Sequence, residues 1–162
     1  MRLHPLLAAI TLATFGAQAV PSHADAWRPP FVDPYSYFTE EAQYEAWYAL
    51  RAGLELGFED ICGDTFCEGD YSNIAPLRFQ CSVQLRSGRI GACTWSFAAS
   101  NEGIDAGTGG LSVDVPAWNC PITLAPDVTM AQLLVALAGE QPLFMPLPGG
   151  TDSIYDHLVD CL

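Results

Sequence analysis

The sequence contains no lysine, and its six arginines stand against nineteen aspartates and glutamates, which gives a net charge of −13. Without lysine the chain can form neither the Schiff base of a lysine-dependent enzyme nor a phosphate-binding P-loop. The excess of carboxylates repels phosphate groups, so we predict no nucleic-acid partner and no anionic membrane surface. The same charge keeps a protein dispersed in water and steers a basic protein partner toward it.

No stretch of the chain approaches the roughly 20 consecutive apolar residues of a membrane span. A shorter uncharged run from Leu6 to Phe15 follows Arg2 and precedes small-residue cleavage signatures that end at Ala19 and Ala24. This pattern is typical of a secretory signal peptide, which we assign to residues 1–24, and a membrane anchor is the alternative. We therefore expect an exported protein, periplasmic or secreted, with cleavage after Ala19 or Ala24.

The cysteine count is even, and in an exported chain this predicts three disulfides. A zinc site is the alternative, but it needs two closely spaced pairs, and only one such pair is present. We predict no metal and no cofactor. The six residues are Cys62, Cys67, Cys81, Cys93, Cys120 and Cys161.

Residues 25–38 are rich in proline and aromatic residues and predict an extended arm, packed over the domain or exposed to a partner. Residues 39–162 then form one domain. Thr39 is the predicted N-cap of a helix, with Glu40 and Glu41 in its first turn. Apolar residues at three- and four-residue steps extend this helix over roughly 17 residues, to the neighbourhood of Gly57.

Two predicted strands follow, because residues 77–85 and 91–97 alternate between apolar and polar side chains. A three-residue loop at 86–88, with Gly88 in the left-handed conformation, would place Cys81 opposite Cys93 and unite the apolar side chains on one face. We therefore predict a Cys81–Cys93 disulfide. Residues 100–110 are interpreted as a flexible loop, and 111–122 as a third strand in which Pro116 marks a bulge or the edge of the strand.

Two short helices close the chain. Thr129 and Gln132 predict a capping box for the first, and Ser153 lies where the second needs its cap. Cys161 falls on the inward face of the second helix, which favours pairing with Cys120.

The remaining cysteines, Cys62 and Cys67, are then left for each other. The predicted fold class is α+β: an N-terminal helix, a three-stranded antiparallel meander and two short C-terminal helices, stapled by disulfides.

Residues 64–70, here called the acidic turn, carry Asp64, Glu68 and Asp70. Calcium prefers such carboxylates, but the order of an EF-hand is absent, so a calcium-stabilised structural protein is only an alternative. A solvated turn without a ligand is another interpretation. The acidic turn and the loop 101–105, with Glu102 and Asp105, are the predicted binding surfaces.

Catalytic patterns are sparse, and no catalytic residue is predicted. Ser153, Asp156 and His157 lie close in sequence, whereas a Ser–His–Asp site normally draws its members from separate elements. The carboxylates of Asp64 and Glu68 permit the alternative of a small carboxylate-dependent envelope hydrolase. We expect instead a non-enzymatic acidic binding protein that recognises a cationic protein or cell-envelope component, for example as an inhibitor or immunity protein. The sequence leaves the oligomeric state open.

Overall fold

The computed structural model describes residues 30–162, so the predicted signal peptide and the first residues of the predicted arm lie outside it. Among the described residues no helix combines the length and the apolarity needed to cross a membrane. The helices are α1 Pro34–Tyr37, α2 Glu41–Cys62, α3 Met130–Ala136 and α4 Ile154–Val159, with a 3₁₀ helix at Pro142–Phe144. The strands are β1 Phe31–Val32, β2 Ala75–Gln84, β3 Ile90–Ala98, β4 Asn101–Ile104, β5 Leu111–Asp114 and β6 Ala117–Ile122.

The main sheet has four antiparallel strands in the order β1-β2-β3-β6, and β4 and β5 form a separate two-stranded sheet. The fold is therefore mixed helix and antiparallel sheet, as predicted, but the three-stranded meander is a correction. The predicted third strand is divided at Pro116: its second half, β6, pairs with β3, and its first half, β5, pairs with the segment interpreted as a loop.

The predicted pairing of Cys81 with Cys93 is present in the β2–β3 register. The turn is longer than predicted. In the predicted register Val83 would pair with Gly91, whereas in the structure it pairs with Ile90. Gly91 is the extra residue that restores the register, and the Ala92 amide donates to Ser82 Oγ at 3.1 Å beside it. The strand bulges here, and the expected alternation continues beyond the bulge.

Helix α2 lies across the inner face of the main sheet and contributes four buried side chains to the core. Its buried side chains include Trp47 and Phe58, and their rings contact the sheet at Phe79 (5.6 Å between centroids) and Phe97 (4.8 Å). Trp95 is fully buried beside them. Truncating a buried aromatic residue of this kind costs about 3–5 kcal/mol, so this cluster contributes strongly to stability.

The limits of α2 differ from the prediction at both ends. Glu40, and not Thr39, is the N-cap, and its backbone amide donates to Gln43 Oε1 at 3.1 Å. The helix also continues past Gly57 to Cys62. Gly53 and Gly57 face the 3₁₀ helix, where an added β-carbon would come within 2.8 Å of a Pro142 ring atom and 3.3 Å of Leu143, respectively. Gly57 is therefore a packing position and not a helix end.

The described part of the predicted arm is packed and only partly extended. Phe31 and Val32 pair with the end of β2 as an edge strand. Residues 34–37 form the short helix α1, which contains Pro34 in its first turn, where the missing amide has no partner to lose. The Tyr44 hydroxyl donates to the carbonyls of Tyr35 (3.2 Å) and Phe38 (2.9 Å), which ties this segment to α2.

All three predicted disulfides are confirmed by the cysteine pairs of the structure, Cys62–Cys67, Cys81–Cys93 and Cys120–Cys161. They leave no free cysteine. The first closes the turn after α2, the second links β2 to β3, and the third fixes the C-terminal segment to β6. Disulfides of this number fit an oxidising environment.

Candidate interaction surface

The acidic turn begins where α2 ends, and local bonds hold its backbone. The Cys67 amide donates to the Cys62 carbonyl at 2.7 Å, across the same residues that the disulfide joins. Cys67 is buried, whereas Asp64, Glu68 and Asp70 are exposed. The turn is thus anchored through sulfur while its carboxylates face solvent.

Phe66 packs the acidic turn against the core and against α4. Its ring stacks on Phe58 of the core, with 5.7 Å between centroids and an interplanar angle of 8°. It also contacts Tyr155 of α4 at 5.9 Å. An aromatic residue in the middle of an acidic segment therefore turns inward, and the neighbouring carboxylates turn outward.

The segment after the acidic turn is joined to the base of the β4–β5 hairpin. Asn73 makes two hydrogen bonds to Ser100, one through each end of its amide and each 3.0 Å long. The Tyr71 hydroxyl donates to the Asp114 carboxylate, and this bond raises the pKa of Tyr71 above its usual value of 10. Tyr71 also packs edge-on against Trp118. The chain that leaves the acidic turn is thus tied to the base of the hairpin, whose first strand contains Glu102.

Residues 101–114, here called the projecting hairpin, continue the β3–β6 ladder in the same register. Ala98 pairs with Ala117 in the main sheet, and Asn101 pairs with Asp114 in the hairpin. The ladder is interrupted only between these two pairs, around Pro116, because proline has no backbone amide to donate to the neighbouring strand. Every residue of the hairpin is exposed.

Asp105 organises the tip of the projecting hairpin. Its side chain accepts hydrogen bonds from the amides of Thr108 (3.0 Å) and Gly107 (2.8 Å), and these bonds lower the pKa of the carboxyl below its usual value. The Asp105 backbone also pairs with Gly110 and Gly109. The six-residue tip, residues 105–110, is therefore a hydrogen-bonded turn between two strands, and the prediction of a loop over 100–110 is wrong for β4.

One face of the hairpin is mostly apolar and is not among the surfaces predicted from the sequence. Its cross-strand pairs are Ile104 with Leu111 and Glu102 with Val113, so these four side chains lie on the same face. Alternation adds Val115 to this face. The aliphatic members, here called the apolar hairpin face, are Ile104 (76% exposed), Leu111 (75%), Val113 (62%) and Val115 (65%).

The charges of this surface have no basic counterparts nearby in the sequence. Residues 52–77 and 90–162 contain neither arginine nor lysine. The two ion pairs within residues 30–162, Arg51–Glu55 and Arg89–Asp127, involve none of the five predicted binding residues. Asp64, Glu68, Asp70 and Glu102 therefore lack an ion-pair partner within the described residues, whereas Asp105 already accepts two backbone hydrogen bonds. Their role in binding stays a prediction.

Two grooves of about 360 and 330 Å³ lie along the main sheet, and none of the five predicted binding residues lines either of them. In α4 the Ser153 hydroxyl donates to the Asp156 carboxylate at 2.7 Å, and the Asp156 amide donates back to Ser153 Oγ. This is a helix cap, as predicted for Ser153, and not a nucleophile–base pair. Within residues 30–162 no three His, Cys, Asp or Glu side chains come together as a metal site would require.

No protein-family model matches the chain, and neither a curated protein nor a solved structure matches it.

Proposed function

We propose that this chain is an exported acidic binding protein that recognises a cationic protein or a basic cell-envelope component. The single observation that carries the proposal is the joining of two acidic segments, the acidic turn and the projecting hairpin, by the contacts of Tyr71 and Asn73. Complementary charge across an interface speeds encounter and selects partners of the opposite sign. A surface with carboxylates and no basic residues is suited to this role.

The finer form of the proposal is an inhibitor or immunity protein that acts on a basic hydrolase in the periplasm or outside the cell. Three disulfides support function in such an environment, where glutathione does not keep thiols reduced. The anchored turn supports tight recognition, because a surface held rigid before binding loses little conformational entropy when the partner arrives.

Binding to basic proteins tests this function. The probes are a purified lysozyme, as a basic cell-wall hydrolase, and a lysine-rich peptide, measured by calorimetry at low and at physiological ionic strength. We expect affinity that falls with salt and a further loss of about tenfold when Asp64→Asn and Glu68→Gln are combined.

The matched control is Glu41→Gln combined with Glu45→Gln, which removes the same charge from the other end of α2. That end lies about 30 Å away, at 1.5 Å per helical residue. The control variant should keep its affinity within about twofold. Equal losses in both variants, or binding that does not respond to salt, would contradict the proposed function.

A further inference from the structure

The apolar hairpin face needs an explanation that the acidic charge does not provide. A two-stranded hairpin is marginally stable in water and normally needs a third strand or a packed layer over its apolar face. Here the four aliphatic side chains are between 62% and 76% exposed, and they cluster on one side of the ladder. Clustered apolar exposure of this kind is typical of interaction sites.

The hairpin is held in one conformation although little of it is buried. The β3–β6 register continues into its strands, Asp105 fixes its tip, and Ser100 and Asp114 fix its base. A segment ordered before binding avoids the entropy cost that a flexible loop would carry. These contacts therefore support a docking element that keeps its shape without a partner.

A second copy of the chain does not suit this face. Glu102 lies among the aliphatic side chains, Asp105 and Asp114 lie at the two ends of the hairpin, and residues 90–162 supply no arginine or lysine to oppose them. Two copies placed face to face would bring these like charges together, at a cost in binding free energy. The negative charges of the hairpin favour a different partner, one that has an apolar cleft with basic residues at its border.

We propose that the projecting hairpin docks into its partner, with Ile104, Leu111, Val113 and Val115 covering an apolar surface and with Glu102 and Asp105 meeting basic residues around it. This inference rests on the proposed function and names the class of partner: a cationic protein with an apolar cleft bordered by lysine or arginine. The hairpin supplies the apolar centre of the interface, and the acidic turn supplies part of its charged border.

Two synthetic peptides of equal length and charge test the inference. One alternates lysine with leucine, and the other alternates lysine with serine. The native protein should bind the lysine–leucine peptide about tenfold more tightly, because only this peptide offers apolar surface. Amide chemical-shift changes should be concentrated in residues 101–115.

Combining Leu111→Thr with Val113→Thr removes apolar surface from the hairpin and keeps β-branched residues suited to a strand. This variant should bind the two peptides within about twofold of each other. The matched control combines Leu56→Gln with Val135→Gln, which removes exposed apolar side chains from helices α2 and α3. The control should keep the tenfold preference, and circular dichroism should show all variants folded.

The outcomes separate the two proposals. Equal binding of both peptides by the native protein, or an unchanged preference in the hairpin variant, would overturn the docking role and leave the acidic surface in place. Salt-insensitive binding, or no binding, of both peptides would overturn the proposed function as well. A dimer in light scattering that dissociates in the hairpin variant would assign the face to a second copy and refute the inference.

Discussion

Removing the three disulfides one at a time should separate their contributions to stability by the length of chain that each closes. The sequence separations are 5 residues for Cys62–Cys67, 12 for Cys81–Cys93 and 41 for Cys120–Cys161. In the chain-entropy model these loops correspond to about 2, 3 and 4 kcal/mol of the free energy of unfolding at 25 °C. Burial increases the difference, because the longer two bridges include cysteines that are almost fully buried.

The assay is thermal unfolding of three double variants, in each of which both cysteines of one pair are replaced by alanine. A domain of this size loses about 4 °C of Tm for each kcal/mol. We expect Tm to fall by about 8 °C without Cys62–Cys67 and by about 16 °C without Cys120–Cys161. Urea unfolding gives an independent ranking through the midpoint of the transition.

Binding should follow a different order from stability. The Cys62–Cys67 bridge fixes the acidic turn, so its loss should weaken salt-sensitive binding to the lysine–leucine peptide most, although it lowers Tm least. Equal Tm losses in the three variants would refute the reasoning from loop length. Full binding after removal of Cys62–Cys67 would refute the role assigned to the anchored turn.

Three further predictions concern local contacts. Gly53→Ala should destabilise the protein by about 1 kcal/mol, because contact with a buried proline ring outweighs the gain in helix propensity. Gly63 lies in open space with helical φ and ψ, so Gly63→Ala should stabilise the protein by about 0.5 kcal/mol. Urea unfolding measures both changes. Asp114→Asn should lower the pKa of Tyr71 toward 10, which ultraviolet titration detects with Tyr71→Phe as the blank. In the native protein the raised pKa of Tyr71 stabilises the fold below pH 10, and this contribution is lost as pH rises through the folded-state pKa. Ser153→Ala should cost about 1 kcal/mol in urea unfolding through the lost N-cap, whereas an unchanged midpoint would argue against this cap.

Local patterns were sufficient to predict several elements of the fold. The alternation around Cys81 and Cys93 predicts their pairing, because a shift of one residue would expose half of the core. The predicted pairing of Cys81 with Cys93 is correct although the predicted loop is too short, because the bulge at Gly91 compensates for the longer turn. The caps at Thr129 and Ser153 were also predictable, because a cap depends on residues within one helical turn.

Contacts between distant residues explain the features that were missed. Gly57 carries the local signal of a helix end, and only the approach of Leu143 explains why it lies inside α2. The glycines of 100–110 indicated a flexible loop, whereas pairing with Leu111–Asp114 orders the segment. The alternation of Leu111, Val113 and Val115 indicates a strand, but it does not specify which strand is its partner.

The charged residues of the candidate surface can be predicted from the sequence, but the contact between the acidic turn and the hairpin cannot. Exposed positions could be expected for Asp64, Glu68 and Asp70, because unpaired carboxylates are seldom buried. The bond between Tyr71 and Asp114 spans 43 positions of the sequence. Nothing in a local pattern indicates such a contact, so the joining of turn and hairpin required the structure.

The order of the cysteine pairs along the chain has a consequence for proteolysis. Two pairs lie before the hairpin and one lies after it, so no sulfur–sulfur bond joins the chain on either side of residues 94–119. A single cut at the exposed glycine-rich tip should leave two fragments held together only by noncovalent contacts. On a denaturing gel without reductant these fragments should run apart, whereas any pairing that bridged the cut would keep them in one band.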